Sequence, residues 1–142
     1  MKQKNVFKFM LLTLCMLSLT FTACNDDDDI QIEQLNGSWY VVNDDPNLAV
    51  DGLVKYTFTP TDGHHGTCEI YSYDALSSMS ATTDYTYVLS QDQTLITFYK
   101  TGDEHYNRQY WIKKLNGKEM RWENASPKDG NTMQIRLEKS KD

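Results

Sequence analysis

The chain has 142 residues, and not all of them belong to the fold. Its 20 acidic residues outnumber its 14 basic ones and leave a formal net charge of −6. A surface of that sign repels nucleic-acid phosphates and anionic lipid headgroups, which argues against electrostatic binding to either.

The first 23 residues carry Lys2, Lys4 and Lys8, no acidic residue, and an apolar run from Phe9 to Phe21. This is the charged start and apolar middle of an export signal, and the run is shorter than the about 20 residues a membrane span needs. A small residue, Ala23, then precedes Cys24. Cleavage before Cys24 and lipidation of its thiol are expected; the alternative is an uncleaved N-terminal anchor. The Ala23-Cys24 junction resembles the lipobox of bacterial lipoproteins, with Phe21 where leucine is usual. Losing the leader removes three lysines and no acids, so the net side-chain charge moves from −6 to −9. Of the three cysteines, Cys15 leaves with the leader and Cys24 is the lipidation site, so Cys68 has no internal partner and no disulfide framework is expected. Cys68 reads as a buried small apolar residue or as a lone reactive thiol.

Asn25 is followed by Asp26, Asp27, Asp28 and Asp29, like charges that repel one another and stay solvated. They predict a flexible tether over 24–31. Consecutive aspartates lack the alternating ligand spacing of a calcium loop. A cysteine followed by an acidic cluster resembles the surface-export signal of Bacteroidetes-type lipoproteins. That resemblance implies an outer-membrane, cell-surface location, with anchorage through acyl chains such as palmitate, each buried CH₂ contributing about 0.8 kcal/mol.

Ile30, Ile32 and Leu35 suggest a single helical or 3₁₀ turn before Gly37. From there the pattern is β. Strands are predicted over Gly37–Asn43, Leu53–Thr59, Thr67–Tyr73, Asp84–Ser90, Thr94–Lys100, Tyr106–Leu115, Glu119–Glu123 and Thr132–Glu138. Val54, Tyr56 and Phe58 alternate against Lys55, Thr57 and Thr59. Tyr85, Tyr87 and Leu89 alternate against Thr86 and Val88, and Met120 and Trp122 against Glu119, Arg121 and Glu123. Met133, Ile135 and Leu137 do so against Gln134, Arg136 and Glu138. A period of two means one buried face and one wet face. The fifth is an apolar run that fits a strand covered on both faces.

Asn116-Gly117 between two runs is a strong hairpin signal, because both residues tolerate the positive φ of a type I′ turn. Ser90–Gln93, Thr101–Glu104 and Asp62–Gly66 are also short connections. Only Asp44–Gly52, Asp74–Thr83 and Asn124–Asn131 are long, and none has a helical period that would make a crossover. The sheet is therefore expected to be antiparallel and sequentially paired. Eight such strands leave two open edges unless the sheet closes on itself. The expected fold is all-β: one eight-stranded antiparallel up-and-down barrel over 32–140, with a meander or sandwich as alternative.

The Leu35-Asn36-Gly37-Ser38-Trp39 opening, the strand that follows it, the late Asn-Gly hairpin and the strand count resemble the lipocalin-like domain of Bacteroidetes surface lipoproteins, over about Ile32 to Lys139. The resemblance implies a floor built on Leu35, Gly37 and Trp39, with a basic side chain from a late strand over the tryptophan. Arg136 and Arg121 are the candidates, although both fall on the polar phase of their strands. It also implies a barrel able to hold a small hydrophobic or amphipathic ligand.

Read from the residues alone, the inward candidates are Tyr56, Phe58, Tyr85, Tyr87, Trp111 and Trp122, with Tyr99. They form either a ligand-binding wall or a filled core, since an eight-stranded barrel is just wide enough for one or the other. Asp44–Gly52, with Leu48 and Val50, is placed to lie over the open end. His64, His65 and Cys68 beside Asp62 include zinc-ligand types, but adjacent histidines in a turn diverge, and an incidental turn is favoured over a metal site. Asp103-Glu104-His105 reads as an acidic hairpin tip. No phosphate loop, metalloprotease helix or nucleophile elbow is present, so no catalytic residue, metal or cofactor is assigned. The two functional expectations are a small-ligand binder and a filled barrel that binds a protein partner through loops or exposed aromatics. Tyr71, Tyr73 and Tyr106 are candidates for the latter's outer patch.

Overall fold

A computed structural model describes residues 30–42, 53–103, 105–126, 130 and 132–142. The leader, Cys24, most of the acidic tether and the segment 43–52 lie outside the described residues. The strands are β1 (Gly37–Val42), β2 (Val54–Pro60), β3 (His65–Asp74), β4 (Met79–Leu89), β5 (Leu95–Lys100), β6 (Asn107–Leu115), β7 (Glu119–Asn124) and β8 (Gln134–Lys139). Each pairs antiparallel with the next, and β1 pairs back onto β8 from Trp39↔Lys139 to Val42↔Arg136. The sheet is thus a closed eight-stranded barrel, and the meander and sandwich alternatives fall away.

Closure explains the alternation. Phe58, Tyr87, Phe98, Trp122 and Leu137 point into one shared interior and are almost fully buried, while their strand neighbours are more exposed, Thr97 beside Phe98 excepted. Burial of each such side chain contributes about 1.5–3 kcal/mol. Gly66 sits opposite Tyr87 in the β3–β4 ladder. A Cβ at Gly66 would come within 2.5 Å of the Tyr87 side chain, so the ring occupies the space that glycine leaves. In β6 the register shifts between Ile112 and Lys114, which turns both Ile112 and Leu115 inward although they are three residues apart.

Several expectations need correction. Trp111 and Tyr99 lie on the outer face, at 40% and 39% exposure. Their neighbours Tyr110, Ile112 and Phe98 take the inward phase. Met133 precedes β8 and is exposed. The supposed long connection Asp74–Thr83 is mostly strand: β3 and β4 run on as a projecting hairpin arm, closed by a turn at 75–78 with Ser78 at φ 54°. The Asp74 carboxylate accepts from the Leu76 N–H at 2.9 Å and the Ser77 hydroxyl at 2.8 Å, which fixes that turn. At Asn116-Gly117 the hairpin forms, but neither residue has positive φ. Instead the Asn116 side-chain oxygen accepts from the N–H groups of Lys118 and Glu119 at 2.9 and 2.8 Å.

Candidate binding site at the barrel mouth

The two ends of the barrel differ. At one end the chain enters through a 3₁₀ turn, Ile32–Gln34, and seals the interior. The Gln31 N–H donates to the Leu115 carbonyl at 2.8 Å, and Leu35, Trp39, Leu115, Met120 and Leu137 are buried together. The Trp39 indole N–H donates to the Leu35 carbonyl at 2.9 Å. Gly37 holds φ 114°, a conformation that costs glycine little. The basic side chain over Trp39 is Lys139, 5.2 Å from the ring centroid, whose Nζ also donates to the Gln34 carbonyl at 2.7 Å. Arg121 and Arg136 do not fill that role. They sit opposite each other across β7 and β8 on the outer phase, and both pair with Glu119. Lys139 has the inward phase of Leu137.

Above the floor the interior is filled by rings. Phe98 is the hub, with centroids of Tyr56, Phe58, Tyr85, Tyr87, Tyr110 and Trp122 all within 6.5 Å. Trp122 stacks on Tyr110 at 5.3 Å and meets Tyr56 edge-on at 5.2 Å. Of the predicted wall, Tyr56, Phe58, Tyr85, Tyr87 and Trp122 come together here and Trp111 does not. Phe98 and Tyr110 escape a reading by alternation, because β5 is apolar on both phases and β6 carries a bulge.

At the opposite end this cluster of rings opens into a cleft lined by Tyr56, Ile70, Tyr85, Phe98, Tyr106, Arg108 and Tyr110, with a cavity of about 10 Å³, close to the volume that one water requires. Tyr106, expected on an outer patch, leans on Tyr85 at 5.8 Å, and Arg108 lies 5.0 Å from the Tyr106 ring centroid. Tyr71 stays outside, with Lys55 6.0 Å from its ring. Burial, reinforced by Tyr110 and Cys68, raises the Tyr56 hydroxyl far above its ordinary value. Burial also pushes Tyr87 up to about 12, and burial followed by hydrogen bonding with Tyr85 raises Tyr106. All three are neutral at physiological pH. Trp122 Nε1 is buried and has no hydrogen-bond partner among the described residues.

The other candidates are elsewhere. Asp62 accepts from the backbone N–H groups of His64 and His65 at 2.7 and 2.8 Å and meets His65 Nδ1 at 3.0 Å, all exposed at the floor end. The carboxylate is held below its usual value by the His64 backbone bond first and the His65 side chain second. Cys68 is buried in the wall, and burial pushes its thiol far up, which makes it unreactive. Among the described residues no three metal-ligating side chains converge, and no helix is long and apolar enough to cross a membrane. A hollow of about 350 Å³ on the outer wall is lined mainly by threonines with Glu69 and Asp84, which face each other across β3 and β4.

Neither a protein-family model nor a curated protein sequence matches the chain. Among solved structures it is similar to Japanin from Rhipicephalus appendiculatus, described as bound to cholesterol. The TM-score is 0.49 at 10% identity, over 75% of each chain. The assignment of a closed, eight-stranded antiparallel barrel rests on the strand pairing itself.

Proposed function

We propose that this chain is a non-catalytic binding module that seats a small hydrophobic or amphipathic molecule at the barrel mouth. The observation that carries the reading is the contrast within one interior. The floor is sealed and satisfied, whereas the mouth is a cleft of phenols around Ile70 and Arg108, with the orphaned Trp122 N–H in the ring layer against it. Because the rings fill the interior, the ligand rests on them and is not enclosed among them. Supported by the leader, Cys24 and the aspartates after it, we further propose a lipid anchor at Cys24 that holds the domain at the outer-membrane surface. The test is native mass spectrometry of the mature protein, released gently from its own cells. A discrete extra mass lost on mild denaturation is the expected result. A protein without bound mass, whose Trp122 indole resonance also ignores a panel of small amphipaths, would overturn the reading.

A second reading has its own observation. The β3–β4 arm carries Leu76 at 99% and Met79 at 68% exposure, and β4 pairs with β5 only from Tyr85 onward. An exposed apolar tip beside a strand edge that is unpaired among the described residues fits a protein partner. Crosslinking in whole cells from a photoreactive residue at position 76 would capture that partner, and an absence of adducts would remove this reading.

A further inference from the structure

The inner wall carries basic side chains at both ends, in different states. Lys139 at the floor is satisfied by a carbonyl and a ring. At the mouth, register places Arg108 directly across from Phe98 and Lys100 across from Tyr85, so both belong to the inward phase. They converge on one phenol: Arg108 lies 5.0 Å and Lys100 6.0 Å from the Tyr106 ring centroid. Among the described residues neither has a carboxylate within ion-pair distance. By contrast Lys113, Lys114, Arg121 and Arg136, on β6 to β8, each reach a glutamate. In a chain with 20 acids to 14 bases, positive charge that no carboxylate compensates among the described residues collects on the inner rim of the mouth. Directly inside it lie Ile70, Tyr85 and Phe98.

We propose that the mouth is selective for an amphipathic anion, with a carboxylate held at the rim by Arg108 and Lys100 and an apolar portion laid on Ile70, Tyr85 and Phe98. This rests on the reading of the mouth as the binding site and adds the sign of the headgroup. The Tyr106 ring supports the guanidinium without using up its N–H donors; Tyr110 engages one side of it, and two of the remaining donors match the two oxygens of a carboxylate. A neutral carbonyl can accept a hydrogen bond from either cation but lacks the charge pairing and the second matched oxygen.

The experiment is a titration of the ¹⁵N-labelled domain with octanoate, methyl octanoate and octylamine, followed through the Trp122 indole N–H resonance. Octanoate is expected to shift that resonance at concentrations about tenfold below those needed for methyl octanoate, with no response to octylamine. Arg108→Gln and Lys100→Gln, at exposed positions, are each expected to weaken octanoate about tenfold and methyl octanoate by no more than about twofold, and Arg108→Lys to recover part of the loss. Equal binding of acid and ester overturns the anion selectivity while the mouth site stands. An octanoate response that survives both glutamine variants also overturns it. Silence toward all three compounds overturns the selectivity and the mouth site together.

Discussion

At the floor a lysine lies 5.2 Å from a tryptophan ring, and at the mouth an arginine lies 5.0 Å from a tyrosine ring. The pairs look alike and are embedded differently. The Lys139 ammonium also bonds a carbonyl, and the indole N–H of Trp39 bonds another, so the charge and the indole donor there both have a partner. Arg108 is exposed beside a small gap, and the buried indole of Trp122 keeps an N–H unpaired among the described residues. A cation bonded to the backbone of a neighbouring element holds structure together. One that keeps several of its donors, as Arg108 does beside its bond to Tyr110, is available to something else.

The comparison can be broken most forcefully at the floor. Trp39→Ala is expected to cost about 3–5 kcal/mol in denaturant unfolding, while Tyr106→Ala at the mouth costs about 1 kcal/mol or less. Comparable losses at both ends would erase the distinction. Next in size is Gly66→Ala, which drives a methyl into the Tyr87 ring and is expected to cost about 1–3 kcal/mol. Adding Tyr87→Leu should return part of that loss, and a strictly additive double variant would show that the two positions do not share space. Lys139→Met removes a hydrogen bond and a ring contact, and a loss of about 1–2 kcal/mol is expected, set against no more than about 0.5 for Arg108→Met. Thermal melts of the two variants side by side decide it.

The effect smallest at neutral pH is alkaline. Tyr87 in the folded chain ionises at about 12 rather than the ordinary 10.0, because burial disfavours the phenolate. An unfolded chain releases that proton first, so the folded state binds more protons between the two values. Stability is therefore complete below about pH 10 and falls as pH rises toward about 12, with Tyr56 acting in the same direction. Phenolate absorbance should lag for these residues until circular dichroism reports unfolding. Reversible ionisation of all tyrosines near pH 10 with the barrel intact would contradict their burial.

Much of the barrel is legible in the sequence because one buried and one wet face print a period of two into strands such as Tyr56–Phe58 and Tyr85–Leu89. Legibility fails where that cause is missing. In β5 both phases are apolar, so Phe98 and Tyr99 cannot be told apart. In β6 the bulge breaks the count between Ile112 and Leu115. The β3–β4 arm extends past the core, so Ser80, Ala81, Thr82 and Thr83 have no buried face to alternate with and read as loop. The site is half legible. Aromatic residues at inward positions are visible, but Arg108 and Lys100 look like ordinary surface charges until closure turns their strands toward a shared mouth. Lys139 is passed over for the same reason: the last residue of a strand shows its phase only against the partner it pairs with.

The ladder that joins β1 to β8 has a kinetic consequence. Trp39 is opposite Lys139, so the contact that completes the barrel links residues from opposite ends of the described chain. Loop-closure entropy must be met before that contact returns anything, which sets such topologies among slow folders, on the order of milliseconds to seconds. Until the last strand docks, β1 and β8 each present an unpaired edge and Trp39 lacks its cover. The nascent chain is therefore most vulnerable to intermolecular strand pairing just before the end of folding, and the final docking step removes that exposure at once.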